Sequence, residues 1–92
     1  MERHPHPEEL FEFPCDHPFK AFGTNDSEGT FLHAVRAAVE AVMPVSLDAI
    51  KLSQSSDGTY LCVTVMVRLH NFQQLEAIYT SLRRVEGLKY LL

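Results

Sequence analysis

The stretch Thr59-Tyr60-Leu61-Cys62-Val63-Thr64-Val65-Met66-Val67-Arg68-Leu69-His70 decides how this chain folds. Leu61, Val63, Val65, Val67 and Leu69 alternate without a break with Tyr60, Cys62, Thr64, Met66 and Arg68. Successive side chains of an extended chain point to opposite faces, so this period of two specifies a strand with one aliphatic face on a core. The β-branched valines favour the same extended backbone. Upstream, Ser55-Ser56-Asp57-Gly58 is a turn cluster, with Gly58 free to take positive φ. Before it, Leu47 to Ser55 reads as a second strand, with Ile50 and Leu52 on one side and Lys51 and Ser53 on the other. Two strands joined by so short a turn pair antiparallel.

Helical patterns flank this hairpin. Phe31, Val35, Ala38, Val39 and Val42 recur at helical spacing, with Arg36 and Glu40 opposite them. Asn25 with Glu28 fits a capping box at the start and Pro44 stops the run, which predicts a helix over about 26–43. Ahead of it, His17 to Gly23 reads as a strand. After the hairpin, Asn71 with Gln74 is a second capping box, and Phe72, Leu75, Ile78, Tyr79 and Leu82 form an apolar stripe. Gly87 suits the end of that helix, and Leu88 to Leu92 reads as a last short strand. The order is β-α-β-β-α-β. Right-handed crossovers then give an α+β domain of the ferredoxin-like, split βαβ kind: a four-stranded antiparallel sheet with both helices on one face.

At 92 residues the chain holds one domain, and scaling laws allow about 64% of its unfolded surface to be buried. The domain is expected over 13–92. Residues 1–12 carry Glu2, Glu8, Glu9 and Glu12 against Arg3, with His4, Pro5, His6 and Pro7. Such a composition buries too little to offset ordering and reads as a flexible acidic tail. A net charge of −4 argues against a general polyanion binder. No run reaches membrane-spanning length and no apolar leader is visible, so the expected compartment is the cytoplasm.

Residues 10–92 resemble the uncharacterised bacterial YbeD-like family. The resemblance rests on Glu12-Phe13-Pro14, on Phe19-Lys20-Ala21-Phe22-Gly23, on Ser56-Asp57-Gly58-Thr59-Tyr60 before the long strand, and on the apolar closing strand. It implies a ferredoxin-like fold similar to ACT regulatory domains, no established activity, no functional residues to carry over, and genes that often neighbour lipoate-attachment genes. The histidine-proline stretch from Met1 to Pro7 departs from that pattern.

No chemistry assembles from the residues. Cys15 and Cys62 form neither a CxxC pair nor a disulfide framework. Cys15-Asp16-His17 sets three ligand types in a row, but neighbours on extended chain point apart. His4 and His6 lie in the tail, and no histidine is set beside Cys62. The turn Gly23-Thr24-Asn25-Asp26 lacks the arginine of an acylphosphatase-type phosphate loop and carries an acid. The RNP aromatic pattern of RNA-recognition modules is missing as well. The expectation is therefore a non-enzyme without metal or cofactor. With the aliphatic positions of the long strand turned to the helices, best-face phasing of the other strands points Leu88 and Tyr90 inward. It sets Lys20, Phe22, Lys51, Tyr60, Met66, Arg68, Lys89 and Leu91 on the open face. One base per strand around an apolar centre is the layout of an interface, although strand lysines also serve solubility. The expected role is a regulatory or protein-interaction module that meets an unknown protein partner, or its own copy, through this face. Two alternatives are a sensor of an amino acid or lipoate-related metabolite at a dimer interface, and nucleic-acid binding, which the acidic balance disfavours.

Overall fold

The computed structural model describes residues 11–26 and 28–92, so the expectations for residues 1–10 lie outside the described residues. Strand β1 spans Cys15–Thr24, helix α1 Thr30–Glu40, strand β2 Ile50–Gln54, strand β3 Tyr60–Leu69, helix α2 Phe72–Arg83 and strand β4 Leu88–Leu91. All four strands form one antiparallel sheet in the order β2-β3-β1-β4. This is the ferredoxin-like arrangement that the element order implies. β1 and β3 are central and ten residues long, while β2 and β4 are edges.

The aliphatic face of β3 is the floor of the core. Leu61, Val63, Val65, Val67 and Leu69 are buried together with Phe19 and Ala21 of β1, Phe31, Val35 and Val39 of α1, and Leu75, Ile78 and Leu82 of α2. At about 25 cal/mol per Å² of apolar area, burial of this one continuous cluster is the main favourable term in folding. Phe11 and Phe13 pack against its rim: the Phe11 ring lies 5.8 Å from Phe13, 5.8 Å from His17 and 6.4 Å from Phe72.

The ends of the elements differ from the sequence expectations. β1 begins earlier than His17 because Cys15 and Asp16 still pair with Leu69 and Arg68 of β3. Leu47–Ala49 is a single 3-10 turn, so β2 starts only at Ile50. α1 begins at Thr30 rather than near residue 26, because Gly29 caps it in the left-handed conformation (φ 70°). The capping box of Asn25 and Glu28 does not form. Asp26 Oδ1 accepts the Thr30 N–H at 2.9 Å. The Asn25 amide instead donates to the Gly58 carbonyl at 2.9 Å, tying the β1–α1 loop to the hairpin turn. At α2 the cap is as expected on one side, since Asn71 accepts the Gln74 N–H at 2.9 Å. Gln74 reaches back one residue further than a capping box requires, accepting the His70 N–H at 2.8 Å. Gly87 (φ 88°) lies past the end of α2, in the turn where the Leu88 N–H donates to the Val85 carbonyl.

Candidate functional site: the open sheet face

Strand pairing fixes which side chains share the face that no helix covers. Opposite residues in an antiparallel ladder point the same way. In one row Lys51, Thr64 and Lys20 lie side by side across β2, β3 and β1. Leu92 extends that row, since Lys20 and Leu92 exchange backbone hydrogen bonds of 3.0 and 2.8 Å. The next row is Ser53, Cys62, Phe22 and Tyr90. The Phe22 and Tyr90 rings stand 5.8 Å apart. Further out, Met66 is opposite Pro18, Tyr60 opposite Thr24, and Arg68 opposite Asp16.

Lys20, Phe22, Lys51, Tyr60, Met66 and Arg68 are thus brought to one surface, where the alternation of β1, β2 and β3 puts them. Leu91 is not there: it pairs with Ala21 and packs against the core. Tyr90, expected inward, stands on the open face instead. The cause is a register shift in the β1–β4 ladder, where Phe22 pairs with Tyr90 but Gly23 pairs with Leu88. Lys89 is the extra residue of this bulge and is exposed. An extra residue breaks strict alternation, so Leu88 and Leu91 both reach the core. Tyr90 and Leu92 are the face residues that sequence reasoning missed.

Apolar groups lie on both sides of a basic row: Phe22 and Tyr90 on one side of Lys51, Thr64 and Lys20, and Met66 with Pro18 on the other. Tyr60, Met66, Tyr90 and Leu92 are 46–59% exposed, high values for large apolar groups. Lys20 and Lys51 stand on either side of Thr64. Asp16 is the one acid on the strand positions of this face among the described residues; its Oδ1 takes a 3.4 Å contact from Arg68 Nη1, both side chains being exposed. Such a pair contributes at most about 1 kcal/mol. A hollow of about 380 Å³ lies between Lys51, Thr64 and Met66 on the sheet and Ser46, Asp48 and Ala49.

Cys62 is half-buried, with its Sγ 3.8 Å from the Thr64 hydroxyl. Among the described residues no three His, Cys, Asp or Glu side chains converge as a metal site would require. Asp16 turns to the open face while Cys15 and His17 turn to the helix side, as extended chain dictates.

His17 has a structural role there. Its Nε2 lies 3.1 Å from the Tyr79 hydroxyl, and its ring packs edge-on against Phe19 at 4.8 Å. Burial holds the imidazole below its usual pKa of 6.5, so the fold favours the neutral ring. A lowered folded value means that this contribution is complete above pH 6.5 and is lost as the pH falls through the folded value. Melting temperature against pH is therefore expected to fall more steeply below pH 6.5 for the wild type than for His17→Phe, which cannot titrate there. Parallel curves for the two proteins would remove the assignment.

The β-α-β-β-α-β sequence order and one open sheet face define a ferredoxin-like α+β domain. The chain matches the family described as "Protein of unknown function (DUF493)" over residues 8–92, and it belongs to that family. UPF0250 proteins of Shewanella piezotolerans and Shewanella amazonensis are 39% and 38% identical over 85 residues, covering 92% of this chain and 93% of each relative. Among solved structures, the Helicobacter pylori protein HP0495 superposes with a TM-score of 0.70 at 12% identity, over 100% of this chain and 98% of the other. The ACT domain of a GTP pyrophosphokinase from Chlorobium tepidum gives 0.59 at 18% identity, over 84% and 94%. At those identities the two structures speak for the fold. No helix among the described residues is long and apolar enough to cross a membrane.

Proposed function

We propose that this domain is a non-enzymatic protein-interaction module with a regulatory role, and that the open sheet face receives the partner. The observation that carries this is the layout of the face: large apolar groups, Phe22 and Tyr90 in one row, Leu92 at the end of the next and Met66 in the one after, are interleaved with Lys20 and Lys51, and Arg68 lies further along. An exposed antiparallel sheet face that only meets water is ordinarily polar, and large exposed apolar groups set among bases are what an interface presents. The bases favour a partner surface that is apolar with an acidic border. The regulatory part of the reading is supported by the fold shared with an ACT domain.

The test compares Phe22→Ser/Met66→Ser with the wild type as bait in a bacterial lysate, with Gln73→Ala/Glu76→Ala on the outer side of α2 as control. Met66 is exposed and Phe22 half-buried away from the core, so the double variant is expected to keep its cooperative melt. Loss of two apolar contacts, one on each side of the lysine row, should lower capture of the specific partner about tenfold or more, and the control should capture as the wild type does. Unchanged capture by the Phe22/Met66 variant removes the proposal. Capture that disappears with nuclease or falls steeply with salt indicates nucleic acid instead.

A further inference from the structure

Two hollows lie on the open face, one towards each side of the row Lys51, Thr64 and Lys20. The larger, about 380 Å³, runs from Thr64 and Met66 of β3 to the turn that holds Ser46, Asp48 and Ala49. The smaller, about 160 Å³, is framed by Tyr60 and Cys62 of β3, Phe22 of β1 and Ser53 of β2. The pair Thr64 and Met66 lies four residues along β3 from the pair Tyr60 and Cys62. At about 3.3 Å per residue the hollows are roughly 13 Å apart. Lys51 and Lys20 stand between them, one on each side of Thr64. The main-chain groups beneath this face are engaged in the ladder, since β1 and β3 each have a strand on both sides. An occupant therefore meets side chains and has to satisfy its own backbone. An extended segment lying flat here would bury main-chain donors and acceptors without partners, which is costly. A helix bonds its own, and a helix on this face would complete a layer on each side of the sheet.

From this geometry we infer that the open face receives an acidic amphipathic helix of the partner, lying along β3, with an apolar residue in each hollow and two adjacent acids between them. The inference rests on the function proposed above and specifies its partner. Helix geometry supplies the pattern. Residues i and i+7 project from nearly the same side, about 10.5 Å apart along the axis, and long apolar side chains span the remainder. Residues i+3 and i+4 fall midway and point to opposite flanks of that stripe, one towards Lys51 and one towards Lys20. The partner helix thus reads apolar-x-x-acid-acid-x-x-apolar. Asp48 stands at the larger hollow, so an acid at the end of the helix that fills this hollow would face a like charge. The charge belongs in the middle, over the lysines. Tyr60 and Met66, 49% and 46% exposed, are covered by the two apolar ends.

Fluorescence anisotropy with the full chain tests it. The probe is a labelled helical peptide of about 18 residues carrying Leu-x-x-Glu-Glu-x-x-Leu, stapled on its outer side. Three companions replace both glutamates by lysine, exchange the leucine and glutamate positions, or insert proline between the glutamates in an unstapled chain. The acidic probe should bind with a dissociation constant on the order of micromolar, and each companion at least about tenfold more weakly. Lys20 and Lys51 are exposed, so Lys20→Glu/Lys51→Glu should keep the melt. That variant should reverse the preference and take the lysine companion over the acidic probe. Phe22→Ser/Met66→Ser should bind the acidic probe about tenfold more weakly while still preferring it to the lysine companion. An acidic probe that does not bind, or binds no better than the lysine or exchanged companion, overturns the inference. So does a preference that survives Lys20→Glu/Lys51→Glu. Equal binding of the proline companion means an extended occupant and likewise overturns it. If the probes fail while lysate capture still depends on Phe22 and Met66, the function proposed above stands and the helical partner alone is overturned; failure of both removes the two together.

Discussion

Val65→Asp is expected to abolish cooperative unfolding, leaving a chain with no sharp thermal transition at neutral pH. Val65 has no solvent exposure and sits at the middle of the sheet, between Phe19 of β1 and Ile50 of β2. An aspartate there must either bury an unpaired carboxylate or take up a proton, and both cost several kcal/mol. A domain of this size has a total stability of about 5–15 kcal/mol, so the change removes most of it. Two comparisons separate charge burial from loss of packing. Val65→Ala forfeits packing alone and should cost about 2 kcal/mol while keeping a single transition. Met66→Asp, one residue on and 46% exposed, should keep a cooperative melt. Circular dichroism melts of the three variants decide the matter, and a parent-like melt of Val65→Asp would mean that β3 faces the other way.

The contrast between Val65 and Met66 shows what was legible in the sequence. Ten residues of uninterrupted alternation in β3 admit one phase, so the core floor and most of the open face follow from pattern alone. β1 and β2 inherit their facing from the same rule, and Lys20, Phe22 and Lys51 stand where it puts them. β4 is different. Leu88-Lys89-Tyr90-Leu91-Leu92 offers two phases, and a strictly alternating strand cannot send both Leu88 and Leu91 inward. The bulge does so, and it arises from pairing with β1, which no window within β4 contains. Asn25 was misread for a related reason. Locally it is a good helix cap, but its amide is taken by Gly58, 33 residues away. The half-exposure of Leu52 was equally hidden, because alternation tells which way a strand residue points and not whether a helix covers it. The apolar-basic character of the face was therefore readable in outline, while Tyr90, Leu92 and the two hollows needed tertiary structure.

Gly23→Ala is expected to be nearly as damaging as the charge, although it adds a single methyl group. Gly23 lies at the bulge where β1 pairs with β4, next to Phe22 of the open face, and closes the run Phe19-Lys20-Ala21-Phe22-Gly23. Its backbone is not among the positive-φ glycines, so space rather than conformation excludes a side chain. A Cβ built on Gly23 would stand 2.4–2.6 Å from three carbons of the Phe31 ring, far inside van der Waals contact. The ring has little room to move: Phe31 is 3% exposed, in the first turn of α1, and belongs to the buried core cluster. Either Phe31 leaves the core or β1 moves away from α1. Overpacking of this kind costs about 1–3 kcal/mol, and a rigid aromatic neighbour puts Gly23→Ala at the upper end. In a domain of this length about 3 kcal/mol corresponds to a fall of roughly 12–24 °C in melting temperature. The mechanism makes a further demand. Phe31→Leu is destabilising by itself, because it leaves a void, but it vacates the space that the new methyl needs. Combined with Gly23→Ala it should cost clearly less than the two changes added, by at least about 1 kcal/mol of favourable coupling. Additive losses in that cycle would show that Gly23 is required for the β1–β4 bulge itself rather than for room beside Phe31.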